Sequence, residues 1–160
     1  MPIPPAKAPT ATDYARAGRL REALTAFNRT SDAITRKHRL TVQRYQLLLM
    51  VKTARDGTER ASLPELRERL ALAPSSLVEL VHRAEDAGLV RRELSPTNRR
   101  LGYVALTSEG AGRLANVVAD LAAARATLSR HLAEVTTDLV APRTAQSGAR
   151  GRRPKAGRRS

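Results

Sequence analysis

From Ala17 the chain repeats apolar or small positions at steps of three and four: Ala17, Leu20, Leu24, Phe27, Ser31, Ile34 and His38. That spacing keeps to one face of an α-helix and predicts a long first helix. Thr41 is placed to cap a second helix through Leu47, Leu48 and Val51, which a turn at Asp56-Gly57 ends. Ser62-Leu63-Pro64-Glu65 has the reciprocal pattern of a capping box and predicts a short helix to about Leu70. Ala71-Leu72-Ala73 is a brief connection to Pro74, which suits the first turn of the next helix. Leu77, Leu80, Val81 and Ala84 form the buried face of that helix, and Gly88 suits its left-handed C′ position.

Residues 89–94 and 101–106 then read as two short strands, the second alternating around Tyr103 and Ala105. Between them Ser95-Pro96-Thr97-Asn98-Arg99-Arg100 forms a polar loop with turn formers at its tip. Thr107 can cap one long last helix, with Leu114, Val118, Leu121, Leu128, Leu132, Val135 and Leu139 along its apolar seam and Arg125 interrupting it. The sustained three-four spacing of the first and last helices predicts packing against a second copy of the chain; an ordinary amphipathic helix on its own core is the plainer reading. The expected fold is mainly α with a small two- to three-stranded β wing: a winged helix-turn-helix with long N- and C-terminal dimerisation helices. Residues 1–12 read as a disordered arm and 13–140 as the folded domain, with a DNA-binding core at about 41–107. Residues 141–160 read as a disordered basic tail, lacking any large apolar side chain.

Charge narrows the partner. The 160 residues carry 29 Lys and Arg against 15 Asp and Glu, a formal +14. A partner dense in negative charge is implied, nucleic acid or an anionic membrane surface. Half of that excess sits in the tail, on Arg143, Arg150, Arg152, Arg153, Lys155, Arg158 and Arg159. The longest aliphatic run, residues 47–51, is far too short to span a bilayer, and the Pro-rich start is not a secretory signal. Cysteine is absent, which removes disulfides, thiolate catalysis and thiol redox sensing and suits a reducing cytoplasm. One Phe, three Tyr and no Trp argue against recognition of single strands by stacking. His38, His82 and His131 share no metal-ligand spacing, and no nucleophile elbow, phosphate loop or paired-His motif is present. Neither enzyme activity, a metal nor a cofactor is expected.

The order helix, tight turn, helix, two strands with a basic loop is that of a double-stranded DNA reader whose second helix enters the major groove. That helix offers Ser75, Ser76, Glu79, His82 and Arg83; Ser and Arg donate to phosphate or base edges, and Glu accepts from a cytosine amino group. The loop offers Thr97, Asn98, Arg99 and Arg100, with Arg suited to a narrow minor groove. The alternative is an architectural, nucleoid-type binder of little sequence preference, motivated by the tail. Within the tail Arg150-Gly151-Arg152-Arg153-Pro154-Lys155 is similar to an AT-hook with one extra Arg; a nonspecific solvated polycation is the preferred reading. Both add phosphate neutralisation and salt dependence.

Residues 75–110 resemble the MarR family of bacterial regulators, and 17–139 do so more loosely. The resemblance rests on Ser75-Ser76-Leu77-Val78-Glu79-Leu80-Val81, then Ala87-Gly88-Leu89-Val90-Arg91-Arg92, the loop, and Val104-Ala105-Leu106-Thr107-Ser108-Glu109-Gly110. It implies a cytoplasmic homodimer on a pseudo-palindromic operator, and release by a small effector in a cleft that Phe27, His38 and Tyr45 could line. The chain departs from the family at Asn98, where Asp usually orients the minor-groove Arg, here Arg100. It departs again at Glu79, where a donor is common, at Ala84, where Leu is usual, and in lacking a separate final helix after Leu139.

Overall fold

The computed structural model describes residues 8–94 and 102–140, with backbone alone at 137–140. The order is α1 (Ala11–Lys37), α2 (Val42–Lys52), β1 (Arg60–Ser62), α3 (Leu63–Leu70), α4 (Pro74–Asp86), β2 (Val90–Leu94), β3 (Gly102–Leu106), α5 (Ser108–Asp120) and α6 (Ala122–Val140). The three strands form one antiparallel sheet in the order β1-β3-β2, with Ala61 opposite Val104 and Arg92 opposite Val104 on the other side. The strand β1 is the third strand, too short to show a period in the sequence.

Helix starts follow the capping chemistry, with two corrections. α1 begins at Ala11, ahead of the boundary at residue 13, because Thr10 and Asp13 close a reciprocal box: the Thr10 hydroxyl accepts from the Asp13 amide at 3.3 Å and Asp13 accepts from the Thr10 amide at 2.7 Å. The box expected at Ser62 is only half formed. Ser62 accepts from the Glu65 amide at 3.3 Å, but the Glu65 carboxylate turns away to accept from the Arg55 amide at 3.0 Å and from Arg69 at 3.0 Å. Thr41 and Thr107 cap α2 and α5 as expected. Gly88 ends α4 at φ +68 in a Schellman closure: Gly88 donates to Glu85 O at 2.8 Å and Leu89 to Ala84 O at 2.9 Å.

The one long last helix is instead two. It breaks at Leu121, a fully buried residue, and α6 starts at Ala122; the expected lack of a further helix after Leu139 concerns residues outside the described ones. Arg125, which interrupted the apolar seam, reaches back across the break and donates to Val118 O at 2.6 Å, supplying a partner to a carbonyl of the preceding helix's last turn.

The hydrophobic core lies between α2, α3, α4, the sheet and α5. Leu47, Leu48, Val51, Leu66, Val81, Leu89, Val104 and Val117 are all fully buried in it. Each such side chain stabilises the fold by about 1.5–3 kcal/mol. Ala84 is also fully buried there, so the smaller residue at that position is accommodated in a closed core. α1 packs alongside α6, and its C-terminal end meets α2 and α5. Among the described residues no helix is long and apolar enough to cross a membrane.

Candidate nucleic-acid interface

α4 is built with one face locked and the other free. Leu77, Leu80, Val81 and Ala84 point into the core, as the period required. Pro74 opens the helix, and Ala73 at the N-cap offers no side-chain bond, so the first-turn amides are not capped by a side chain. The outward face carries Ser75, Ser76, Val78, Glu79, His82 and Arg83, all exposed. Five of these, Ser75, Val78, Glu79, His82 and Arg83, line one shallow groove with Pro74; Ser76 lies beside it. Four of the five residues expected on this helix therefore come together.

The charges on α4 are paired along the helix. Glu79 binds Arg83 one turn on, and His82 Nδ1 lies 3.0 Å from the Asp86 carboxylate. Glu85 accepts from Arg92 at 3.3 Å, tying the end of α4 to β2. Such exposed pairs contribute little stability; their effect is to hold the side chains in place. Val78 stands outside the residues expected on this face. It is 48% exposed, and its signal was negative: it falls outside the buried period of 77, 80, 81 and 84.

A rigid frame holds this helix. The Arg69 guanidinium donates to Met50 O at 2.8 Å and Thr53 O at 2.9 Å, closing the free carbonyl end of α2 onto α3. Arg44 of α2 donates to Arg83 O at 3.3 Å in the last turns of α4. Arg55 clasps Glu68 through two bonds, at 2.8 and 2.9 Å, which hold the Glu68 carboxyl below its usual range. On the far side the Thr107 hydroxyl donates to Gly88 O at 2.6 Å and the Thr107 amide to Leu89 O at 3.1 Å. Gly110 sits so close that a Cβ there would fall 1.9 Å from Leu89 O. The start of α5 is thus clamped onto the turn that ends α4.

At the base of the wing, Glu93 takes Arg91 at 2.8 Å and Arg60 at 3.3 Å, and Arg60 also lies over the Tyr103 ring at 5.7 Å. Leu94, where β2 runs out, is 71% exposed. Thr97, Asn98, Arg99 and Arg100 lie outside the described residues.

The three residues assigned to an effector cleft sit in different surroundings. Tyr45 is buried in the core, and Phe27 is half-buried on α1. His38 Nε2 lies 2.9 Å from Asp120, which also takes Lys37 at 2.8 Å; these two partners hold the Asp120 carboxyl below its usual range. A cleft of about 850 Å³ opens elsewhere, between α1 and α6, and is lined by Arg19, Glu22, Ala26, His131 and Glu134 among others.

Comparison with known proteins agrees with this geometry. Residues 39–101, less than half of the chain, match the sequence profile of the MarR family. No curated protein matches the chain at significant similarity. Similar solved structures include AbsC, a MarR family transcriptional regulator from Streptomyces coelicolor, with a TM-score of 0.64 and 23% identity over 86% of each chain. Sco3205, a MarR family regulator from the same organism in complex with DNA, has a TM-score of 0.60 at 22% identity, covering 88% of this chain and 82% of that one. A MarR variant from E. coli complexed with operator DNA has a TM-score of 0.57 at 19% identity, covering 84% of this chain and 89% of that one. Residues 39–101 thus carry a sequence similarity to the MarR family, and the described chain takes the fold of these solved MarR structures.

Proposed function

We propose that this chain is a sequence-specific, double-stranded DNA-binding transcription regulator, acting as a cytoplasmic homodimer on a pseudo-palindromic operator, and not an enzyme. The observation that carries the reading is α4: an exposed groove of hydrogen-bonding side chains on a helix whose opposite face is wholly buried. Ser75, Glu79, His82 and Arg83 enter the major groove, with Ser76 beside them for phosphate, and α3 crosses the backbone. Thr97, Asn98, Arg99 and Arg100 carry the wing to the minor groove, where Arg100 is the inserted cation. Sco3205 and the MarR variant, both solved with DNA, support DNA as the partner.

Dimerisation falls on α1 and α6. Leu132 is 38% exposed, and Leu20, Leu24, Phe27, Leu128 and Val135 are only half-buried within one chain. A small effector that releases DNA would enter beside Phe27 and His38, since Tyr45 is closed inside the core.

Selection of bound fragments from the source genome tests the reading, and should return a motif with two half-sites. On that motif Arg100→Ala should cost about 1–3 kcal/mol of binding; unchanged affinity would overturn the wing assignment. Deleting residues 141–160 should lower affinity and salt dependence while leaving site preference intact. Loss of all preference would instead favour a coating protein.

A further inference from the structure

The α4 groove has two unlike ridges. Ser75, Glu79 and Arg83 recur at four-residue steps and form a polar row. Pro74, Val78 and His82 form a parallel row one residue behind, and all six line the same groove. At the centre of the second row stands Val78, 48% exposed, although most large aliphatic side chains of the described domain are withdrawn from solvent. Its neighbour Glu79 is held by Arg83 one turn along the helix.

A phosphate contact uses neither feature. An aliphatic side chain offers phosphate no hydrogen bond, and a carboxylate repels it. Base edges in the major groove use both. The groove floor holds one apolar group, the thymine 5-methyl, and one kind of strong donor that a carboxylate accepts from well, the exocyclic amino group, chiefly that of cytosine. Because Val78 and Glu79 are adjacent on one helix face, their targets must be close together on the DNA.

We infer that Val78 is a specificity-determining residue that packs on a thymine 5-methyl group in each operator half-site, beside the amino group taken by Glu79. This rests on the DNA-reading role proposed above for α4. Arg83 contributes by neutralising Glu79 near the phosphates and fixing its carboxylate toward the base. Pro74 and His82 flank Val78 and close the sides of the methyl's seat.

The test uses the full chain and a duplex that it selects from a random library. Each thymine of the half-site is replaced in turn by uracil, which removes only the 5-methyl. One position should weaken binding about three- to fivefold, the worth of one buried methyl group. In Val78→Ala the same replacement should have almost no effect, while uracil elsewhere behaves as before. Val78 is exposed, so the variant should keep the thermal stability of the parent, which a melting curve checks. If the duplex is indifferent to uracil at every position, or if Val78→Ala leaves the uracil effect intact, the methyl contact is overturned and the DNA-reading role stands. If no duplex is selected at all, the DNA-reading role falls and the methyl contact with it.

Discussion

Two parts of this molecule bury their apolar residues very differently. In the winged-helix core, α2 alone buries Tyr45, Leu47, Leu48 and Val51 within eleven residues. Over its 27 residues α1 buries only Ser31 and Thr35, both polar and both near its C-terminal end, where it meets the core. The partly buried leucines of α1 and α6 are the ones the sequence period had placed on a single seam. The core is thus complete within one chain, whereas the α1–α6 layer is half finished. That contrast separates residues that make the fold from residues that the proposed dimer would cover, and it seats the proposed DNA-reading helix on a core that one chain completes.

The largest way to break the contrast is to cut into the core. Leu48→Ala or Leu66→Ala should cost about 2–5 kcal/mol of stability, read by denaturant melts, because both are fully buried. Next is Gly110→Ala, where the added methyl meets Leu89 O at 1.9 Å. It should cost about 1–3 kcal/mol and loosen the turn that ends α4; a melt unchanged from the parent would mean that the α5 clamp is not tight. Leu132→Glu in α6 should behave in the opposite sense. Its side chain is 38% exposed, so a single chain should melt almost normally. Sedimentation should nevertheless show a weakened dimer.

Ala71→Gly sharpens the picture on a smaller scale. Ala71 links α3 to α4 at φ 52, a left-handed conformation that costs an L-residue about 1 kcal/mol. Glycine should recover part of that as added stability. The smallest effect belongs to the acid limb. Asp120 has its folded carboxyl lowered by hydrogen bonds from Lys37 and His38. The stability it contributes is therefore fully present above the ordinary aspartate value of about 4, and is lost as pH falls below that through the folded value. Asp120→Asn should flatten the pH-stability curve in that window, lying slightly below the parent near neutrality and meeting it at the acid end.

How much of this was legible in the sequence follows physical lines. Elements with a strong period or a cap were readable: the buried face of α4, the Thr41 and Thr107 caps, Gly88. β1 has three residues and no period, and it exists only because β3 offers a free edge. The break at Leu121 does not interrupt the apolar spacing, so the seam ran through it unseen. The Glu65 cap failed because a tertiary partner, the Arg55 amide, outcompeted a local one. On the exposed face of α4 the polar residues are legible by type, while Val78 is hidden because a valine on a helix reads as core until the opposite face is known to be full.

The most direct test of the account is a base-methylation interference map of the full chain on its selected duplex. The account predicts two patches of major-groove interference, related by a two-fold axis, with centres one helical turn or a multiple apart, each turn about 10–10.5 base pairs. Interference spread evenly along the duplex, or confined to a single unpaired patch, would contradict it.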